Sequence, residues 1–334
     1  MVNVPISLAM ADYDRTRPLI EGQFKPVGID LTYVVSPPSE TFWRMLRFGE
    51  FEASEMSLST FLISKLQGKK WKAIPIFPFR SFFHTSIFVS NKSGIKEPQD
   101  LKGKRFGVPE YQVTAAVWMR GSLEEDFDIA PNNMTWYVER KTSLSHGGET
   151  SFTPPDGVHI EQVPEGETLA SMVKSGKLDA IMPSPYPGMK SLLNKTDYLE
   201  LSKSDKVRLL FEDPVSEGKR YYKKHGFSHI NHTVIIRDDV THKHPWIPLN
   251  LYKAFEESKI IANENVDRLI KSYLIFGFPY FVEERKFFEG DAFPYGLSKN
   301  RKALEALINM SVEQGLTKAH QDLNSLFYED TLST

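Results

Sequence analysis

Apolar positions recur in nearly the same order along two stretches of the chain that lie 127 residues apart. Residues 40–53 read ETFWRMLRFGEFEA, and residues 167–180 read ETLASMVKSGKLDA. Phe42, Met45 and Leu46 fall at i, i+3 and i+4, as do Leu169, Met172 and Val173, so each stretch carries one apolar helical stripe. Gly49 and Gly176 follow where a helix would stop in the left-handed conformation. Short strand patterns come next, at 51–55 and 178–182, and others precede the helices, at 29–35 and 158–163.

A second echo lies upstream. MADYDRT (10–16) and VPEYQVT (108–114) share acid–Tyr–x–x–Thr at an offset of 98. Each follows a strand pattern (6–10 and 105–108) and precedes a helix pattern, with Pro18 suited to a first turn. The two offsets differ by 29 residues, a surplus that fits the polar, Gly- and Pro-containing stretch 140–157 read as a loop insertion. The chain is therefore expected to be α/β, with a β-α-β-α-β unit used twice as two mainly parallel sheets flanked by helices. Lobe one takes 1–84 plus 236–334, and lobe two takes 85–235. The strand-like HTVIIRDD (232–239) returns the chain to lobe one. Helical periodicity at 249–262, 265–276 and 299–313, with Gly315 as a stop, places a C-terminal helical layer on lobe one.

Composition narrows the chemistry. A length of 334 residues supplies a core for both lobes, and a net charge of −2 gives no reason to expect nucleic acid or an anionic membrane as partner. With no cysteine, thiolate metal sites, Fe–S clusters and a cysteine nucleophile are excluded. The apolar stretch 4–11 is too short for an export signal and no run is long enough to span a bilayer, so a cytoplasmic protein is expected. Its partner is expected to be a small anionic molecule, and a homo-oligomer is left open.

Ligands of open parallel sheets bind beyond the carboxyl ends of the strands, where helix N-termini present free N–H groups. Two facing lobes would then set Asp12 and Tyr13 against Glu110 and Tyr111, and Ser57 and Ser59 against Ser184. The helix starts would add Ser39 and Glu40 against Glu167 and Thr168. Capping alone would explain Ser39, Thr16 and Thr114, and a first-turn acid suits the dipole at Glu40 and Glu167. In AIPIFPFRSFFHTSIFV (73–89) the phenylalanines read as core, whereas Arg80 and His84 are costly to bury unpaired. They share one face of an extended segment where the chain should first cross between lobes, which puts them in the cleft. His229 and His232 have H-x-x-H spacing but lie on opposite faces of a strand, so one of them should face the cleft and no shared metal is expected. The other histidines, His146 among them, carry no separate signal. No GxSxG elbow, P-loop, HExxH or Rossmann glycine fingerprint is present.

Several segments together carry a resemblance: SLAMADYDRTRPL (7–19), PSETFWRMLR (38–47), EMSLSTFL (55–62), the aromatic stretch around 75–84, and SGIKEPQDLKGKRFGVPEYQVTAAVWMRG (93–121). They resemble the 4,5-dihydroxyphthalate decarboxylase family, which has the two-lobed type II periplasmic-binding-protein-like fold. The resemblance covers most of the first 240 residues. It implies non-oxidative loss of one carboxylate from a hydroxylated aromatic acid, 4,5-dihydroxyphthalate giving protocatechuate and CO₂. No cofactor is expected for such a step, with a divalent metal as the alternative. Residue types then suggest His84 as general acid/base, Glu110 or Asp12 as its partner or the proton donor, and Arg80 and Arg15 as carboxylate ligands. Tyr111, Thr114, Ser57, Ser59, Ser184, His229 and His232 complete the expected substrate contacts. The competing reading is a non-catalytic solute-binding protein for a small carboxylate, since one fold hosts both.

Overall fold

The doubled pattern becomes two sheets. The computed structural model describes residues 3–186 and 191–334. In lobe one, β1 (Val4–Met10) pairs in parallel with β2 (Ile29–Val35) on one side and β3 (Ala53–Ser57) on the other. β4 (Trp71–Ile74) forms the far edge of that sheet. A two-residue strand, β5 (Arg80–Ser81), leads out of the lobe. Lobe two contains β6 (Phe88–Ser90), β7 (Arg105–Val108), β8 (Thr135–Val138), β9 (His159–Gln162), β10 (Ala180–Ile181) and β11 (Val207–Leu209), ordered β11-β6-β10-β7-β8-β9. Strands β7 to β10 run parallel, and β6 runs against β10 and β11.

The return strand β12 (His229–Ile230) pairs with β5, and the two form the ribbon on which the chain crosses between the lobes in both directions. β13 (His232–Arg237) then enters the lobe-one sheet antiparallel between β3 and β4.

The halves differ in two respects that local periodicity does not reveal. In lobe one, β1 lies directly beside β2; in lobe two, β8 is inserted between β7 and β9, the counterparts of β1 and β2. The surplus residues therefore supply a strand as well as the loop that follows it. The helix expected after β1 is also reduced to one turn, Arg17–Ile20, whereas its counterpart Thr114–Phe127 runs 14 residues.

Helix Pro38–Phe48 ends at Gly49 (φ 58°) and helix Leu169–Ser175 at Gly176 (φ 85°). Both stop in the left-handed region that only glycine enters without a Cβ clash. Two of the C-terminal periodic stretches merge into one helix, Ile247–Tyr273, which packs on lobe one, and a further helix, Gly277–Phe287, follows. The third, Leu297–Glu313, reaches lobe two as well. A Cβ at Gly121 of helix Thr114–Phe127 would lie 2.4 Å from Met310 Sδ, and Arg120 Nε donates to Gln314 at 2.9 Å. The largest core cluster accordingly runs through both lobes, from Phe42 and Phe77 to Phe106, Trp118 and Leu307.

Candidate functional site

A small cavity lies between the lobes. Its wall is drawn from loops after the parallel strands, as the sheet rule requires. Lobe one supplies Ser39, Phe42 and Ser57; lobe two supplies Thr114, Arg140, His146, Ser184 and Tyr186; the return segment adds Asn231 and His232. Helices Pro38–Phe48 and Thr114–Phe127 both begin at this wall, and neither has a side-chain N-cap. Their N-terminal dipole ends favour an anion there.

Three hydroxyls bind the two lobes together beside these helix starts. Ser59 Oγ donates to the Gln112 carbonyl (2.5 Å), and the Ser59 N–H donates to Thr114 Oγ1 (3.0 Å). Thr114 Oγ1 lies 2.8 Å from Ser57 Oγ. With Ser59 committed to Gln112, Thr114 can donate to Ser57, which leaves the Ser57 proton for the cavity.

A carboxylate–imidazole pair closes the lobe-one side. Glu55, fully buried in β3, lies 2.5 Å from His232 Nδ1. It also accepts from Tyr13 Oη (2.5 Å) and from the Ala11 N–H (3.1 Å). These partners are what allow a carboxylate to stay inside a strand buried at every position. Tyr186 Oη stands 2.7 Å from the same His232 nitrogen and 3.2 Å from Tyr13 Oη. Burial, then the charge of Glu55, pushes the Tyr13 and Tyr186 hydroxyls well above the usual phenol range, so both keep their protons. If Nδ1–H points at the carboxylate, Nε2, which lies 3.3 Å from Tyr186 Oη, is the other nitrogen able to exchange a proton.

On the opposite wall the Arg140 guanidinium is occupied by protein groups. It donates to Glu110 (2.5 Å), Ser39 Oγ (2.7 Å), Asn194 Oδ1 (2.6 Å) and the Leu193 carbonyl (3.0 Å). His146 Nε2 donates to the Ser39 carbonyl at 2.9 Å. Burial drives the His146 pKa down to about 4 despite the opposing charge of Glu110, so its ring is neutral near pH 7.

The expected site residues divide accordingly. Ser57, Thr114, Ser184 and His232 line the cavity, with Ser59 directly behind Ser57 and Thr114. Glu110 lies one layer back: it accepts from Arg140, Gln112 and the N–H groups of His146 and Gly147. Burial raises the Glu110 carboxyl, but His146, Arg140 and these donors outweigh it and hold the pKa below the usual value. Asp12 is exposed and paired with Arg17 at 2.6 Å; its neighbour Tyr13 is the residue turned inward. Tyr111 is buried against Trp136 and Phe152, under the Arg120 guanidinium.

Four more lie away from this wall. Arg15 stacks on Phe293, 3.7 Å from the ring centre, and donates to the Pro78 carbonyl. Arg80 donates to the Pro294 carbonyl and Asn300, and burial lowers its pKa to about 9. His84 is fully buried with Nε2 at 2.9 Å from Glu217, and His229 is stacked on Trp118 with ring centres 4.7 Å apart. His84 does not share a cleft face with Arg80, because Phe83–Ser86 forms a 3-10 turn that carries the imidazole into the core. His229 and His232 do diverge, since the segment is extended, and His232 alone of the two reaches the cavity. Glu55, Arg140, His146 and Tyr186 were missed. An acid within a strand that leads to the cleft was a legible sign for the first; the others depend on how the loops fold back.

Among the described residues no group of three or more His, Asp or Glu side chains is placed to hold a metal ion, and no helix is long and apolar enough to cross a membrane.

Residues 20–136 match the family model described as NMT1/THI5 like. Over its whole length the chain is 31% identical to a protein of Comamonas testosteroni, covering 99% of that relative, which is named 4,5-dihydroxyphthalate decarboxylase. The chain belongs to the 4,5-dihydroxyphthalate decarboxylase family. A Pseudomonas putida member of the same name is 34% identical over 68% of this chain and 85% of its own. Solved structures place the family's fold. The periplasmic aliphatic sulphonate binding protein SsuA of Escherichia coli superposes over 100% of both chains with a TM-score of 0.58 at 11% identity. The desulfurization enzyme DSZB superposes over 99% of this chain and 98% of its own, with a TM-score of 0.52 at 12% identity. This decarboxylase-family chain thus has the two-lobed periplasmic-binding-protein-like fold expected from its doubled pattern.

Proposed function

We propose that this chain removes one carboxylate from 4,5-dihydroxyphthalate, releasing CO₂ and protocatechuate, in the cavity between its lobes. The observation that carries the reading is the buried Glu55–His232 pair at the wall of a cavity whose one guanidinium, Arg140, is already occupied by the protein. In the proposed step the imidazolium form of His232, facing the Glu55 carboxylate, gives its Nε2 proton to the ring carbon that bears the departing carboxylate. The hydroxyl para to that carbon supplies electron density. The carbon–carboxylate bond then breaks, its electron pair restores the aromatic ring, CO₂ leaves, and His232 takes a new proton from water. The retained carboxylate faces the start of helix Thr114–Phe127 and the Ser57 hydroxyl. Phe42, Met182 and Tyr186 bound the ring. The steps use neither a metal nor an organic cofactor, and a cytoplasmic location is part of the same proposal.

The test is CO₂ release from a panel of hydroxylated aromatic acids, with and without chelator. Release from 4,5-dihydroxyphthalate that survives chelation is expected. Binding without release would return the chain to the solute-carrier reading, and loss of activity on chelation would require a metal in the mechanism.

A further inference from the structure

The guanidinium of Arg140 is the obvious candidate for a substrate carboxylate, yet its bonds argue otherwise. On its own lobe it is held by Glu110, Asn194 and the Leu193 carbonyl; across the cleft it reaches Ser39. Ser39 stands in the first turn of helix Pro38–Phe48, and lobe two grips that turn three times. Arg140 Nη2 and Asn194 Nδ2 donate to Ser39 Oγ (2.7 and 2.9 Å), and His146 Nε2 donates to the Ser39 carbonyl (2.9 Å). The same face carries the Leu192 N–H to Glu40 (3.2 Å) and, further along the helix, Arg47 to Glu149 (2.8 Å). All the lobe-two groups come from 140–149 or 192–194. The first of these segments lies within the loop insertion that lobe one lacks.

We infer that Arg140 is a positioning residue. Anchored by Glu110 and bonded to Ser39, it clamps the insertion of lobe two onto lobe one and so sets the closed cavity, and it binds no substrate carboxylate. Ser39 is the receptor of this clamp and Glu110 its anchor, which gives Glu110 a place in the site without contact with the reacting atoms. When the clamp is weakened the closed form is less populated, and apparent affinity falls by that fraction; saturating substrate refills it, so turnover largely recovers.

The kinetic arm of the test rests on the proposed decarboxylation, and the exchange arm does not. In ligand-free protein, Ser39→Ala and Arg140→Lys should each raise backbone hydrogen exchange in both 140–150 and the first turns of Pro38–Phe48, by about tenfold, with the Leu178–Ile181 region unchanged. In kinetics both variants should raise KM about tenfold with kcat within about threefold. Phthalate and benzoate, used as competitive inhibitors, should weaken by the same factor. Exchange unchanged in the two segments would overturn the clamp. So would a phthalate-to-benzoate preference that collapses in Arg140→Lys while Ser39→Ala inhibits normally, since that pattern marks a direct carboxylate ligand. If wild-type protein releases no CO₂, the proposed function fails while the exchange result still decides the clamp.

Discussion

Two buried histidine–glutamate pairs, built from the same residue types, have opposite surroundings. At the cavity, His232 meets Glu55 at 2.5 Å with Tyr186 alongside, and His232 and Tyr186 line the space between the lobes. At the crossing ribbon, His84 meets Glu217 at 2.9 Å but is enclosed by Tyr221, Phe211 and His229. Its Nδ1 is buried and has no partner among the described residues, and burial, only partly offset by Glu217, holds its pKa below the usual value. His229 lies lower still, from burial and then from its histidine neighbours His84 and His225. The first pair is the one to which the proposed decarboxylation assigns proton transfer. In the second, the His84 ring is packed among aromatic side chains beside His229, which itself stacks on Trp118, and burial favours the neutral form of both imidazoles. Proton chemistry is therefore decided by access and by the partners of both ring nitrogens, and the residue pair alone does not reveal it.

The sharpest way to break this contrast is Glu55→Gln, which leaves the shape of the pair but removes its charge. A fall in kcat of about 10²–10⁴ is expected. Near-normal CO₂ release from a folded variant would remove the pair from the mechanism. At the ribbon the reverse is expected. Trp118→Ala should cost about 3–5 kcal/mol in urea unfolding, and the protein that remains folded should turn over substrate normally.

A smaller effect comes from acid. The folded pKa of His146, about 4, lies below the roughly 6.5 of an unfolded histidine, so the unfolded chain binds the proton more readily. The stability tied to its neutral form is complete above pH 6.5 and is lost as pH falls toward 4, in total about 3 kcal/mol. His84 and His229 add to the loss in the same direction. His146→Gln should flatten the acid limb of a Tm-against-pH curve, and an unchanged limb would assign the acid sensitivity to the ribbon. Smallest is His84→Gln, about 1–2 kcal/mol, with kcat unchanged.

Much of the frame was legible because it follows local rules. Helical stripes at 42–46 and 169–173, glycine stops at Gly49 and Gly176, and strands after them need only neighbouring residues to be recognised. β8 escaped because Thr135–Val138 is short and precedes a polar stretch that reads as loop. The site was legible where strand ends and helix starts define it, as at Ser57, Thr114, Ser184 and His232. It was illegible where orientation decides: adjacent Asp12 and Tyr13 diverge, and the acid of the shared acid–Tyr pattern forms an exposed arginine pair in one lobe and a buried one in the other. Arg140 and His146 could not be placed from spacing at all, because the insertion brings them to Ser39 across about 100 residues of chain.

The strand that lobe two gained has an implication for how such a protein can be rebuilt. A tandem duplicate of the first half would reproduce two sheets and two Glu55 side chains, but it would lack the arm that spans the gap. On the proposed roles the halves are not interchangeable: one would carry the proton-handling group and the other the fastener. A recombinant made by splicing lobes from distant relatives would therefore need the insertion and the start of helix Pro38–Phe48 to come from the same parent.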